Sequence, residues 1–186
     1  MGENVLSKLQ MPAVLKGEVV LRCKTLDDAG TLWEILDKHR EEIGKYLNSP
    51  YKITSRQVMD EAVLTDMDLW EKGEKFSYCI LYQDKIVGVI EVIHIDYKHH
   101  NAEFGYWLNP DTQGRGIMSK ALKLLENELF KRDVVRLTIG CNVENNASAR
   151  VAERNGYQFE GIFRKSYCLH GQFTDSKRYA KINPAY

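Results

Sequence analysis

The residues with the clearest chemical potential form a short glycine segment, Gln-Gly-Arg-Gly at positions 113–116. The chain directly after it has apolar residues three and four positions apart, at Met118, Ala121, Leu122, Leu125 and Leu129. This spacing predicts an amphipathic helix that begins at the glycine segment. Glycines at a helix start let several backbone N–H groups converge on one ligand, and the helix N-terminus adds about half a positive charge there. The segment therefore predicts a site for an anion such as phosphate.

The segment is neither of two common phosphate-binding motifs. No Gly-Lys-Ser/Thr follows at the spacing of a P-loop, and the dinucleotide pattern Gly-x-Gly-x-x-Gly is absent. The preceding residues, Ala102–Leu108, are apolar and aromatic enough for a buried strand, which Asn-Pro-Asp at 109–111 ends. Taken alone, residues 113–116 are equally compatible with an ordinary glycine turn between a strand and a helix.

A second informative segment runs from Asn142 to Gly161. It contains Asn145 eleven residues before Gly156, then Tyr157 and the pair Glu-Gly at 160–161. Together the two segments resemble the GNAT superfamily of N-acetyltransferases. The family's pyrophosphate loop reads Gln/Arg-x-x-Gly-x-Gly/Ala, and an asparagine precedes its Gly-Phe pair at the spacing seen here.

The match in the loop covers Gln113 and Gly116, whereas Met118 stands where glycine or alanine is usual. The resemblance is closest to the RimJ/RimL branch, which typically has Gly-Tyr-Trp-Leu before the loop, as at 105–108, and Gly-Ile-Met within it, as at 116–118. That branch also accounts for Met118. It acetylates the N-terminal amine of ribosomal proteins, so the resemblance, which spans residues 18–182, implies acetyl-CoA as cosubstrate and such an amine as acceptor.

Segments with strand-like and helix-like apolar spacing follow one another along the chain and predict one α/β (α+β) domain over residues 1–186, with its core at about 18–182. We expect a mixed, mostly antiparallel sheet of about seven strands with helices on both faces. The resemblance adds a splay between the fourth and fifth strands. The predicted strands are Glu18–Lys24, Phe76–Tyr82, Ile86–Ile95, Ala102–Leu108, Val134–Val143, Tyr157–Lys165 and Phe173–Ile182, and the predicted helices begin near Thr25, Ser55, Gly116 and Ala147.

The resemblance implies which residues hold acetyl-CoA. Backbone N–H groups of the loop would bind the pyrophosphate, at Gln113, Gly114, Arg115, Gly116, Ile117 and Met118. Backbone groups of Trp107 and Leu108 would pair with the pantetheine arm, which Asn142, Asn145 and Ser148 would also approach. Two alternatives stay open: Arg115 is a phosphate ligand or a solvated loop residue, and Asn145 is a pantetheine ligand or a helix cap.

Acetyl transfer to an amine needs a base for the amine, donors for the oxyanion and tolerance of the leaving thiolate. An α-amino group has a pKa of about 8 against about 10.4 for lysine, so a larger fraction of it is neutral at pH 7 and a weaker base is sufficient. Glu160, at the position where the resemblance implies the base, and then Glu103, on the predicted central strand, are the candidate bases, each with a strand ion pair as its alternative. Many family members carry a tyrosine acid seven residues after the asparagine, but here that residue is Ala152. Ser148 is the candidate acid, with a helix cap as its alternative.

Composition excludes several other classes. Lys+Arg and Asp+Glu both number 26, so the net charge of zero predicts no direct nucleic-acid binding. No run of about 18 apolar residues predicts a membrane span, and residues 1–15 lack the apolar core of a signal peptide. Four dispersed cysteines are typical of reduced thiols, and a cytoplasmic location is expected. His94, His99 and His100 beside Asp96 do not predict a metal site.

Two other functions stay open at this stage. In the first, the acceptor is a small amine, such as a polyamine, an antibiotic or an amino acid. In the second, the chain is a non-catalytic acyl-CoA sensor that keeps the cofactor pocket. The mixed signs of charge in residues 41–74 disfavour a polyamine, which would select a dense acidic groove. The sequence also leaves open whether the protein forms a homodimer or a higher homo-oligomer.

Overall fold

A computed structural model describes residues 8–186, which contain one eight-stranded sheet. The strands are β1 (Val14–Lys16), β2 (Val20–Cys23), β3 (Phe76–Tyr82), β4 (Lys85–Asp96), β5 (Asn101–Leu108), β6 (Arg136–Asn142), β7 (Gln158–Leu169) and β8 (Gln172–Ile182). Their order across the sheet is β1-β2-β3-β4-β5-β6-β8-β7, and β5 with β6 is the parallel pair. The predicted mixed, mostly antiparallel sheet is confirmed.

The helices are α1 (Ala29–Lys38), α2 (Arg40–Gly44), α3 (Ser49–Lys52), α4 (Arg56–Lys72), α5 (Ile117–Phe130) and α6 (Asn146–Arg154). Short 3-10 turns, Leu26–Asp28 and Pro110–Thr112, precede α1 and the glycine loop. Local sequence fixes several of these ends. Ser55 caps α4 by accepting a hydrogen bond from the Val58 N–H, and Gly73 ends it in the left-handed conformation at φ 72°.

Two apolar clusters lie on opposite faces of the sheet. α5 buries one side completely against β3–β6, through residues such as Leu122, Leu125 and Leu129. α1 and α4 cover the other face, where Leu32, Leu36, Met59 and Val63 pack on Cys79 and Val89. Helices on both faces of the sheet are thus confirmed.

The splay predicted between the fourth and fifth predicted strands lies between β5 and β6. Their parallel register runs only from Asn101↔Arg136 to Phe104↔Ile139. Beyond that point Gly105–Leu108 pair with β4 alone, so the β6-facing backbone groups of this stretch have no ladder partner among the described strands. The two strands diverge toward their C-terminal ends, and this opening positions the site.

The sequence missed one strand. β1 is three residues long and pairs antiparallel with β2, through contacts such as Leu15↔Leu21. The sheet therefore has eight strands rather than about seven. A three-residue strand is too short for a period of two to be recognised in the sequence, and only its pairing with β2 defines it.

Candidate active site

An open cleft of about 570 Å³ enters the sheet where β5 and β6 separate. One wall is the end of β5 with the glycine loop and the first turn of α5. The facing wall is the end of β6 with the first turns of α6, and residues 42–47 of α2 and its following loop border the opening. The volume lies within the range of small-molecule and cofactor sites.

The glycine loop ends at an open helix N-terminus. Gly116 occupies the N-cap of α5 at φ 73°, and Gly114 has φ 78°, a region that favours glycine. A Cβ at either glycine would meet nothing within 4 Å, so backbone conformation, not crowding, selects glycine here. Within residues 8–186 no side chain caps α5. Its first-turn N–H groups lack intrahelical partners, and Gly116, Ile117 and Met118 at this helix start line the cleft.

Most of the predicted cofactor residues line this cleft. On the β5 and α5 wall they are Trp107, Leu108, Gln113, Gly114, Gly116, Ile117 and Met118, and on the facing wall they are Asn142, Asn145 and Ser148. Arg115 does not line it, although its neighbours on both sides do. The structure therefore brings together ten of the eleven residues predicted to contact the cofactor.

The facing wall begins with a capped helix. The Asn145 side-chain oxygen accepts a hydrogen bond from the Ser148 N–H at 3.1 Å. The Asn145 N–H in turn donates to the Asn142 carbonyl at 2.9 Å, and the Asn142 side chain accepts from the Glu144 N–H at 2.9 Å. Asn145 is thus a helix cap that also borders the cleft, and its role as a pantetheine ligand stays a prediction.

Ser148 does not cap α6, because Asn145 takes that role. The Ser148 hydroxyl instead lies 2.8 Å from the hydroxyl of Tyr106, which reaches across from β5. Burial raises the pKa of Tyr106, and its hydrogen bond with Ser148 partly offsets that shift. Cys141 lines the cleft next to this pair; burial raises the pKa of its thiol, and the Ser148 hydroxyl acts in the opposite direction.

Glu103 forms an ion pair next to the cleft. Its carboxylate accepts a hydrogen bond from Arg178 at 2.7 Å, and that guanidinium also lies over the ring of Phe163 at 5.4 Å. Gly140 makes room for the pair, since a Cβ there would lie 2.9 Å from an Arg178 nitrogen and 3.1 Å from a Glu103 oxygen. Glu103 is not among the residues that line the cleft.

Glu160 lies farther away. Its two carboxylate oxygens accept hydrogen bonds from both terminal nitrogens of Arg136, which begins β6, whereas the cleft lies at the end of that strand. Its side chain is 38% exposed, and the hydrogen bond from Arg136 lowers the pKa of the carboxyl. The structure does not bring Glu160 together with Ser148, so its role as a base stays a prediction.

The sequence analysis missed Glu42, which is the one carboxylate among the described residues that line the cleft. Glu42 accepts from His39 Nδ1 at 2.9 Å, and His39 Nε2 lies 3.3 Å from a carboxylate oxygen of Asp111. Lys38 donates to the same Asp111 oxygen at 2.8 Å, which lowers the pKa of Asp111. No motif in the sequence includes Glu42. An acidic residue on a short helix is usually exposed to solvent, so its residue type alone does not indicate a site.

The segment after α2 is fastened to the β7–β8 hairpin. The Asn48 side chain donates to the Cys168 carbonyl at 2.7 Å and accepts from the His170 N–H at 3.0 Å. His170 Nε2 also lies 2.9 Å from the Gly44 carbonyl, and the Tyr46 hydroxyl donates to the Glu144 carbonyl at 3.2 Å. These contacts hold Tyr46 and its neighbours over the opening of the cleft.

Residues 8–186 contain no group of three His, Cys, Asp or Glu side chains that could hold a metal ion. Within the same range, no helix combines the length and the apolar character that crossing a membrane requires.

Residues 18–158 match the family model described as the acetyltransferase (GNAT) domain, so the chain belongs to the GNAT family. It is an acetyl-CoA-dependent N-acetyltransferase, as predicted. Ribosomal-protein-serine acetyltransferase of Escherichia coli (strain K12) is 31% identical to it over 152 residues, which are 81% of this chain and 85% of the relative.

Two solved structures extend the comparison. The ribosomal alpha-N-protein acetyltransferase RimL, in complex with coenzyme A joined to a cysteine by a disulfide, has a TM-score of 0.87 and 29% identity, covering 92% of this chain and 98% of that one. The microcin self-immunity acetyltransferase MccE, in complex with acetyl-CoA and AMP, has a TM-score of 0.86 and 27% identity, covering 90% of this chain and 93% of that one.

Proposed function

We propose that this enzyme transfers the acetyl group of acetyl-CoA directly to the N-terminal α-amino group of a ribosomal protein. The observation that carries the acceptor assignment is the similarity, over most of both chains, to a ribosomal-protein-serine acetyltransferase. Such an acceptor and cosubstrate would meet in the cytoplasm.

The cofactor fits the two walls of the cleft. The pyrophosphate binds the N–H groups of the glycine loop and of the uncapped start of α5, where the helix dipole favours an anion. The pantetheine arm follows residues 105–108, whose backbone groups on the β6 side have no ladder partner. The thioester then lies near Ser148 and Cys141, the one cysteine among the described residues that line the cleft.

The cysteine is consistent with this orientation of the cofactor. In the RimL complex coenzyme A is joined to a cysteine by a disulfide, which places the thiol end of that ligand next to a cysteine side chain. In this chain Cys141 stands at the end of β6, beside the Ser148 hydroxyl. The sulfur of the thioester would therefore approach Ser148.

The chemistry is a direct displacement. The neutral amine attacks the thioester carbon, the C–N bond forms, and an N–H group of β5 stabilises the oxyanion. The C–S bond then breaks and its electron pair stays on sulfur, to which Ser148 donates a hydrogen bond. The nitrogen loses its proton to solvent or to a carboxylate. A free thiol has a pKa of about 8.5, so a thiolate leaves with modest help.

An α-amine suits the carboxylates that this cleft offers. With a pKa of about 8, roughly a tenth of the amine is already neutral at pH 7. Glu42 is placed to attract the protonated acceptor and, on deprotonation, to receive its proton. Glu103 remains a second candidate base, because its ion pair with Arg178 adjoins the cleft.

A small-molecule amine is the second candidate acceptor. The structure of MccE, at similar identity and coverage, contains AMP together with acetyl-CoA. A nucleotide-linked amine would therefore be the small molecule to test first.

The test is an acceptor panel followed by mass spectrometry. Peptides with the N-terminal sequences of ribosomal proteins are incubated with acetyl-CoA, each beside a copy with a blocked N-terminus and an internal lysine. Spermidine and an aminoacyl nucleotide complete the panel. We expect acetylation of free N-termini only. Preferred acetylation of a small amine contradicts the ribosomal acceptor, and so does acetyl-CoA binding without transfer to any N-terminus of the panel.

A further inference from the structure

Tyr106 and Ser148 meet from opposite walls of the cleft, with their hydroxyl oxygens 2.8 Å apart. We propose that Tyr106 is a positioning residue that orients the Ser148 hydroxyl toward the departing sulfur of coenzyme A. The inference rests on the proposed function, because Ser148 serves a leaving group only if acetyl transfer takes place in this cleft.

The direction of the hydrogen bond follows from the two hydroxyls. Burial raises the pKa of Tyr106, so its phenol keeps its proton throughout the neutral range. A phenol is a stronger donor than an aliphatic alcohol, and a hydroxyl has one hydrogen but two lone pairs. If Tyr106 donates to Ser148, the single hydrogen of Ser148 is released for another acceptor. The Ser148 N–H is already directed to Asn145 at 3.1 Å, which fixes the start of the helix.

The other neighbour of Ser148 is a sulfur atom of the protein. Cys141 is 7% exposed and lines the cleft, and the Ser148 hydroxyl lowers the pKa of its thiol against the effect of burial. Burial outweighs this effect, so the pKa of the Cys141 thiol stays raised. A thiolate that arrives on the pantetheine arm would accept the single hydrogen of Ser148 in place of Cys141.

The residue at position 152 explains why a phenol from another strand is needed here. The family's usual tyrosine acid is replaced by Ala152, which is fully buried and carries no hydroxyl. Tyr106 supplies a phenol from β5 instead, which would act on the sulfur through the Ser148 hydroxyl that it contacts at 2.8 Å. Tyr106 remains neutral throughout the reaction: the thiolate keeps the electron pair of the broken C–S bond, and Ser148 contributes a hydrogen bond rather than a full proton.

The first experiment is a double-mutant cycle on kcat with the variants Tyr106→Phe, Ser148→Ala and both together. We expect kcat to fall about 10-fold in Y106F and about 30-fold in S148A, as for one donor in a transition state, with KM for acetyl-CoA within about 2-fold. The double variant should equal S148A, because Tyr106 acts through Ser148. Multiplying effects would overturn the proposal.

Tyr78→Phe is the matched control. Tyr78 is fully buried, and its hydroxyl donates one hydrogen bond, to the Pro12 carbonyl at 2.8 Å, on a strand that does not line the cleft. Y78F loses the same kind of contact and should leave kcat within about 2-fold. An equal loss of kcat in Y78F and Y106F would show a general structural effect and overturn the proposal.

A second experiment needs no acceptor amine. Calorimetry compares the affinities for coenzyme A and for desulfo-coenzyme A, which lacks the thiol, across the pH range around a thiol pKa of about 8.5. In the wild type the ratio of the affinity for coenzyme A to that for desulfo-coenzyme A should increase about 10-fold as the thiol ionises. In Y106F the same ratio should increase only about 2-fold. Identical ratios in the two proteins contradict the proposal. If no amine on the panel is acetylated, the proposed function fails, while this ratio still decides the role of Tyr106.

Discussion

Two helices begin on facing walls of the same cleft, and their first turns differ. α6 is capped by Asn145, whose side chain accepts a hydrogen bond from the Ser148 N–H. α5 begins at Gly116, and among the described residues no side chain caps it. A helix end without a cap leaves N–H groups unpaired, which is costly in a protein unless water or a ligand binds them.

The difference separates positioning from binding. At α6 the Asn145 side chain satisfies a backbone N–H of the first turn, which fixes the side chains of that turn. At α5 we propose that the backbone itself binds the ligand, which would leave the loop side chains free to vary. This explains why Arg115 need not line the cleft although its neighbours do.

The substitution Gly116→Asp tests this contrast with the largest expected effect. A non-glycine residue at φ 73° strains the backbone, and its carboxylate would lie at the site that we propose for the pyrophosphate. We expect coenzyme A affinity, measured by calorimetry, to fall at least about 100-fold. Gly171→Asp, at φ 79° in the β7–β8 turn, adds the same strain and charge elsewhere. Equal losses in both variants would show that α5 has no special role.

Glu42→Gln sharpens the contrast by separating acceptor from cofactor. Removal of the one cleft-lining carboxylate among residues 8–186 should raise KM for the acceptor amine about 10-fold and leave coenzyme A affinity unchanged. Glu41→Gln, its neighbour on α2, does not line the cleft and is the control in steady-state kinetics. An unchanged acceptor KM in E42Q would exclude Glu42 from amine recognition.

Asn145→Ala removes the cap of α6. Loss of a helix cap costs about 1 kcal/mol, so the free energy of unfolding in urea should fall by that amount. Ser55→Ala removes the corresponding cap of α4, which lies outside the cleft, and should cost about the same. Kinetics then distinguish them: kcat should fall several-fold in N145A, because the cap fixes Ser148, and stay constant in S55A. Equal kcat values would show that the cap is only structural.

Glu160→Gln has the smallest expected effect. Arg136 lowers the pKa of Glu160, so the pair stabilises the folded state above the ordinary carboxyl pKa and this stabilisation is lost as pH falls through the lowered value. The pair is exposed and contributes at most about 1 kcal/mol. Unfolding curves of wild type and E160Q should therefore differ slightly at pH 7 and converge in acid, with turnover nearly unchanged. Abolished turnover would instead identify Glu160 as the base.

The sequence predicted the elements whose signals are local. The helix starts near Thr25 and Ser55 and the glycine loop depend on neighbours within a few positions, and the structure contains each of them. The predicted strands also appear, with ends shifted by a few residues. β7 extends to Leu169, for example, because its pairing with β8 continues past a bulge after Phe163.

What the sequence did not predict depends on distance across the fold. Tyr106 and Ser148 are 42 positions apart, and only the divergence of β5 from β6 lets their hydroxyls meet across the cleft. Glu42 reaches the cleft because α2 is fastened to the β7–β8 hairpin through His170 and Gly44. The position of the Glu160 side chain is fixed by its hydrogen bonds with Arg136, a residue 24 positions away in the chain.

The central claim is that backbone amides at the uncapped start of α5 hold the pyrophosphate of acetyl-CoA. A titration of isotope-labelled protein with coenzyme A, followed by amide NMR, tests it residue by residue. The account predicts the largest amide shifts at positions 114–119, absent when pantetheine replaces coenzyme A. Unchanged amides at 114–119 in protein saturated with coenzyme A would contradict it.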